Sequence, residues 1–338
     1  MALCHLSDMS LSSPHPDAHI AALQQRLASA DAGVRRVAVL EFADIEDEAL
    51  LGAITTVLRD DTDATLRAEA ARVLAGWDDA DVIDALAHAL SDVPEVREAA
   101  AQSLSELKDP QVGARLLPYA AHHDPFVCAA ALRGLKELRV PEAAQSATAA
   151  VLHADTTVRR EAVSVLGWLK HAAALPIIAF AAVADADEQV RRVATGALGM
   201  APPEQAHSVL PALCSALVDA AWSVREEAAT TLGKWPPEGD VAAAALRQAM
   251  GDDYWQVRLR AARSLGRLRD RKALPVLSEA LVHRAGNLRK EAAIALGEIG
   301  DAQAAAVLRA AETDPDPEVR KAVRLAVQRL GTVSAADR

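Results

Sequence analysis

A chain of 338 residues would ordinarily divide into about two compact domains, yet apolar residues make up 51% of this one while aromatics reach only 3%. Thin, alanine-lined helical layers fit that balance, and strand-rich folds do not. The formal net charge of −11 sets the chain as a whole against phosphate backbones and anionic membranes.

Residues 1–16, rich in Ser, Pro and His, carry neither the basic start nor the apolar stretch of a signal peptide, and no later run approaches a membrane span. We expect this segment to be disordered. Three scattered cysteines, Cys4, Cys128 and Cys214, form no CxxC arrangement, which argues against a disulfide framework or a zinc site. A cytoplasmic protein, monomeric on its own and without a membrane partner, is the expectation.

From residue 17 to about residue 331 one unit recurs. It is clearest in the stretch Asn287-Leu-Arg-Lys-Glu-Ala-Ala-Ile-Ala-Leu-Gly, and aligning its copies on Leu288 gives anchors at Val34, Leu66, Val96, Val127, Val158, Val190, Val224, Val257, Leu288 and Val319. So steady a period marks one repeat array, whatever its length. Each anchor is followed by Arg except in the copy with Cys128. Positions 0, +4, +8 and +11 are apolar or small, as in Val158, Ala162, Leu166 and Leu169, which paints one stripe on an α-helix. Position +4 is Ala in nine copies, and +9 is Gly at Gly167, Gly199, Gly233, Gly266 and Gly297, so that a neighbouring helix can approach closely.

Upstream of each anchor lies a second amphipathic segment, with Pro176, Pro211 and Pro275 near the starts of three of them. The turn between the two helices carries Asp: Asp31, Asp63, Asp92, Asp124, Asp155, Asp187, Asp219, Asp253 and Asp316. These are expected to cap the second helix and to pair with the Arg of their own or the adjoining turn. Longer spacings around Pro202-Pro203 and Pro236-Pro237 suggest longer connections. Residues 332–338 are expected to form a short tail.

The pattern D-x-x-V-R-x-x-A-x-x-x-L-G resembles the HEAT-like repeats of the bilin-lyase (PBS-lyase) type. The resemblance implies an all-α superhelical solenoid of about ten helix pairs, whose second helices line a concave face and whose contour is on the order of 100 Å. Relatives of that type include phycobilin lyase subunits, deoxyhypusine hydroxylase, DNA glycosylases and scaffolds, so fold does not fix function. Deoxyhypusine hydroxylase-like repeats would carry His-Glu pairs for two irons, and no His-Glu dipeptide occurs. His122, His123, His153 and His283 stand near the ends of first helices, where a polar or partly cationic group is favoured. We expect no metal, no cofactor and no catalytic residue, and read Cys128 and Cys214 as small hydrophobes.

The five tryptophans are placed by the repeat. Trp77 and Trp235 fall at +11, in the core; Trp222 and Trp255 precede anchors and should pack along the turn edge; Trp168 falls at +10, a position that is charged in most copies. Charge is uneven as well. Residues 256–338 hold 16 Lys and Arg against 10 Asp and Glu, net +6, leaving 20 against 37, net −17, before them. The expected binding residues are therefore Trp168, Arg260, Arg263, Arg267, Lys290, Lys321 and Arg324, all off the buried stripe. Together they describe a non-catalytic scaffold, adaptor or accessory subunit that holds another protein, through an acidic or extended segment, on its concave face. A bilin-lyase-like accessory factor handling a chromophore, and nucleic-acid binding through the basic C-terminal third, are the other open readings.

Overall fold

The computed structural model describes residues 16–234 and 239–336, with side chains over 18–234 and 239–331. The expectations for Cys4, Trp235, Pro236-Pro237 and most of the N-terminal segment lie outside the described residues. Helix pairs follow one another throughout, and they group into two compact units, Met1–Val140 and Pro141–Arg338. The first unit holds four pairs, with second helices Ala32–Ile45, Ala64–Val73, Pro94–Leu104 and Pro125–Glu137. The other holds six, with second helices Thr156–Trp168, Glu188–Leu198, Trp222–Leu232, Trp255–Arg267, Gly286–Ile299 and Pro317–Ala336. That last helix runs on into the stretch expected to be a tail.

Within each unit a second helix packs against its own first helix and against the second helix of the next repeat in that unit, which gives each unit a second-helix layer and a first-helix layer. The buried stripe is the one the spacing predicts: Val158, Ala162 and Leu166, or Leu288, Ala292 and Leu296, are all within 1% of full burial. A pair cannot bury this stripe alone, so neighbouring repeats supply the rest. Two elements depart from a simple pair of α-helices. The first helix before Val127 is a 3-10 helix, Pro110–Ala121, with Pro118 inside it. Proline removes a donor and clashes with the preceding turn, which disfavours the α-helix there. Pro211, expected near a helix start, instead sits inside Ala206–Ala216.

The glycines at +9 set the distance between second helices. A Cβ built on Gly297 would lie 2.8 Å from the Cα of Ala326, and one on Gly266 2.8 Å from the Cα of Ala295, both on the next second helix. Those contacts are with backbone, so a side chain can be admitted only by moving a helix. Gly297→Ala should therefore destabilise by about 1–2 kcal/mol, although alanine has the better helix propensity by roughly 1 kcal/mol. Chemical denaturation of the variant measures this, and a gain in stability would show that the helices separate freely.

A ladder of arginines runs along the turns. In the first unit Arg35 donates from Nε and Nη2 to Asp61 at 2.6 and 2.8 Å, and Arg67 likewise to Asp92 at 2.7 Å for both bonds. In the second unit Arg159 pairs with Asp185, Arg191 with Asp219, Arg225 with Asp252 and Arg289 with Asp314. The remaining Nη1 of each turns back to a carbonyl of its own turn; Arg191 Nη1, for example, donates to Asp185 O at 2.9 Å. The partner thus comes from the adjoining turn, one of the two pairings the sequence allowed.

The Asp assignments need correction in three copies. Asp31, Asp63, Asp124, Asp155, Asp187 and Asp316 accept backbone N–H groups at second-helix starts as expected. Asp92 and Asp219 are arginine acceptors rather than caps, and next to Asp253 the acceptor is Asp252. Some turns have two acceptors two residues apart, as in Asp61 and Asp63 or Asp185 and Asp187, whereas at Ala221, Tyr254 and Ala285 the capping position has no side-chain acceptor. Where both are present, the outer one binds arginine and the inner one caps the helix.

The histidines belong to this ladder too. His122, His153 and His283 hold the arginine-binding site of their turns, and their Nδ1 atoms accept the N–H of Asp124, Asp155 and Ala285 at 3.0–3.1 Å, as the aspartates do. In these turns a ring nitrogen takes the place of the aspartate oxygen, a polar group near the end of a first helix as expected. Burial pushes the His283 pKa down, with Arg258, Arg284 and Arg289 adding to the effect. Arg258, 25 residues earlier, faces that histidine and has its Nε buried without an acceptor; Arg97, 25 residues before His122, has the same defect and lies 4.4 Å from the centre of the Phe126 ring.

His283→Asp should supply the missing carboxylate and stabilise by about 1–2 kcal/mol. It should also remove a pH dependence. Because the folded pKa lies below the ordinary 6.5, the unfolded chain binds the proton first, so native stability falls as pH drops below about 6.5 until the folded pKa is passed. Thermal melts from neutral to mildly acidic pH would show that loss shrink in the variant; an unchanged slope would remove His283 as its source.

Candidate functional site

On the second helices of the second unit the expected binding residues stand at +2, +3, +5, +6 and +10, off the buried stripe. Trp168 ends its helix with 49% of its surface exposed, where Glu106, Glu137, Lys234, Arg267 and Arg329 stand exposed in other copies. Arg267, Lys321 and Arg324 are exposed as well.

Three of the expected cations are engaged between repeats. Arg260 Nε donates to Glu226 at 2.9 Å, Arg263 binds both oxygens of Glu291 at 2.9 and 2.7 Å, and Lys290 lies 3.8 Å from Glu318. Glu291 is only 5% exposed, so its charge requires a cation. The Arg263 pair is therefore a cross-repeat clamp, and three of the expected cations are held by glutamates inside the second-helix layer.

Other arginines gather at the C-terminal ends of the second helices. A hollow of about 700 Å³ there is lined by Arg267, Arg269, Arg271 and Arg329, with Glu298 among them and Gly266, Gly297 and Gly300 in its floor. Arg267, Arg269 and Arg271 make no ion pair among the described residues. Beside it, sharing Glu298 and Arg329, is a smaller hollow of about 240 Å³ with Ile294, Ala322, Leu325 and Ala326 at its base and Lys290 and Lys321 at its rim. Leu325 is 51% exposed.

Sequence reasoning missed Arg269, Arg271, Ile294 and Leu325. A signal existed at +12, where the backbone turns left-handed at Glu46, Arg139, Lys170, Arg269 and Gly300. Glycine is the unstrained choice there, yet Arg139, Lys170 and Arg269 occupy it, so three of these five turns hold a cation at a strained position.

Other candidates resolve into packing. Trp222 stacks on Tyr254 with ring centroids 5.6 Å apart, on the turn edge as expected, and Arg225 lies over the Tyr254 ring. Trp77 is half-buried against Phe42, with centroids 5.9 Å apart. Cys128 is buried and its thiol points to Ala120 O, while burial pushes the Cys214 thiol pKa up, away from nucleophile behaviour. Among the described residues no group of three His, Cys, Asp or Glu side chains could hold a metal ion, and no helix is long and apolar enough to cross a membrane.

A family profile described as HEAT repeats matches residues 51–135, 114–199, 179–254 and 243–328. No curated protein matches the chain. Among solved structures, an engineered protein is similar at 21% identity over 92% of this chain and 98% of its own, with a TM-score of 0.50. A Kap121p mutant is similar at 14% identity and a TM-score of 0.64, over 97% of this chain and 44% of that one. Kap95p with RanGDP is similar at 14% identity and a TM-score of 0.59, over 92% and 48%. The chain thus spans about half of the Kap121p and Kap95p chains, and the likeness is one of fold: an all-α solenoid of repeated helix pairs.

Proposed function

Because this chain belongs to the HEAT repeat family, we propose that it is a non-catalytic scaffold or adaptor that holds another protein against its second-helix face. The observation that carries the reading is Trp168, half exposed at a second-helix position that other repeats give to charged residues. A large aromatic left in water on such a face has the character of an interface anchor. Exposed Arg267, Lys321 and Arg324 extend the same face, and Arg260, Arg263 and Lys290 contribute to it while tied to glutamates. The similar structure of Kap95p holds RanGDP, which is in keeping with a protein cargo here.

The test is photo-crosslinking in the native cell. A crosslinking amino acid at Ser164 or Gln328, on second helices, should capture partner proteins, whereas one at Phe180 or Val282, on the first-helix side, should not. Capture confined to Phe180 and Val282, or none at any position, would overturn the proposal.

A further inference from the structure

We propose that the paired hollows at the C-terminal ends of the last three second helices form a docking site for an acidic peptide of a partner protein, one apolar side chain entering the small hollow and the following carboxylates meeting the arginines. The inference rests on the protein-binding reading above and adds the chemistry of the bound segment and its place.

Three observations point the same way. The first is charge left unanswered. Arg260, Arg263 and Lys290 on the same helices each have an acidic partner, but Arg267, Arg269 and Arg271 have none among the described residues, although all three are exposed around one hollow. Favourable interaction with the helix dipole accounts for Arg267 in the last turn. It does not account for Arg269 and Arg271, which lie beyond the helix end.

The second is backbone cost. Arg269 has φ 51°, in the left-handed region, where the next repeat places Gly300 at φ 72°. An arginine kept in a conformation that disfavours side chains gives up stability that glycine would restore. What it gains is a guanidinium at the rim of the hollow.

The third is the apolar neighbour. Ile294 and Leu325 floor a hollow that adjoins the arginine basin through Glu298 and Arg329, and half of the Leu325 surface is open to water. A nucleic-acid backbone would use the arginines alone and would meet Glu298 as a repulsive charge. A peptide can place carboxylates around that glutamate and set one leucine-sized side chain into the dimple. Guanidinium forks suit carboxylates in such a place.

The test uses the full chain and a short fluorescein-labelled peptide bearing one leucine followed by a run of glutamates, read by fluorescence anisotropy at low and moderate salt. Arg267→Glu with Arg271→Glu should weaken binding by about tenfold or more, and added salt should weaken the parent. Arg309→Glu, on a first helix of the same unit, makes a like charge change away from the basin and should stay within about twofold. Replacing the peptide leucine with serine should weaken binding about fivefold, the loss of one buried apolar side chain, and needs no change in the protein. The proposal is overturned if the peptide does not bind, if Arg309→Glu is as harmful as the basin variant, or if a single-stranded oligonucleotide of equal charge binds as tightly. Crosslinks at Ser164 or Gln328 that persist while the peptide fails would remove this inference alone. Crosslinks confined to Phe180 and Val282 would remove the reading beneath it.

Discussion

Arg191→Ala should lower the stability of the second unit by about 3 kcal/mol, the cost of leaving a largely buried carboxylate without its cation. Arg191 binds both oxygens of Asp219, at 2.7 and 2.9 Å, and also Asp185 O at 2.9 Å. It stands in the middle of a continuous run. The Asp185 carboxylate already holds Arg159, and the Asp219 carbonyl holds Arg225 Nη1 at 2.7 Å, so one deletion disturbs three turns. Equilibrium unfolding in denaturant should give a lower midpoint, and a double-mutant cycle with Asp219→Asn should show strong coupling. A loss below about 1 kcal/mol would place the ladder with ordinary surface pairs.

Acid should reveal the same ladder. Burial raises the Asp185, Asp219 and Asp252 pKa values, but the bonds from Arg159, Arg191 and Arg225 outweigh it and leave all three below the usual carboxylate value of 3.8. A depressed folded pKa contributes stability that is present above the unfolded pKa and disappears as pH falls through the folded one. Stability should therefore decline from about pH 4 downwards. The decline should be smaller in Arg191→Ala, because Asp219 has then lost its partner.

Ala292→Pro should cost about 3 kcal/mol or more locally, through the lost helix bond and the clash of the ring with the preceding turn. Its consequence should travel. Ala292 is completely buried in Gly286–Ile299, which packs against Trp255–Arg267 on one side and Pro317–Ala336 on the other. Nearest-neighbour coupling then exposes both flanking helices when the middle one opens. Hydrogen exchange should accelerate in all three, while Ala64–Val73 in the other unit keeps its protection. A single, uniform loss of protection over the whole chain would show that the repeats do not open separately.

The helix pairs were legible in the sequence because the stripe from Val158 to Leu166 and the alanines at +4 report directly on burial. The roles of the turn residues were less legible. Some turns have two acceptors two residues apart, and where only one acid remains, as with Asp219, nothing in a single sequence distinguishes capping from arginine binding. His283 was harder still, since a histidine can replace an aspartate only as a neutral acceptor, which depends on the N–H of Ala285 lying against it. The surroundings of the proposed binding residues were half legible: Trp168, Arg267, Lys321 and Arg324 are exposed as their positions imply. The engagement of Arg263 by Glu291 depends on the offset between neighbouring helices, which places +6 of one repeat against +3 of the next. The dimple at Leu325 was missed because Ile294 and Leu325 both stand at +6, off the stripe, and it takes the packing of the two helices to show that they line one hollow.

The ladder also bears on how the chain reaches its structure. Its rungs join residues 25 to 28 apart, and the polar link from Ser264 to the carbonyl of Ala229 spans 35. Contacts of such modest sequence separation impose little loop-closure entropy, which favours quick folding for a chain of this size. Each repeat needs only the next one to arrive, so ordered structure can accumulate as the polypeptide leaves the ribosome, in the order of synthesis. Arg97 and Arg258, whose Nε atoms lack acceptors, are the places where that growing structure should hesitate or fray first.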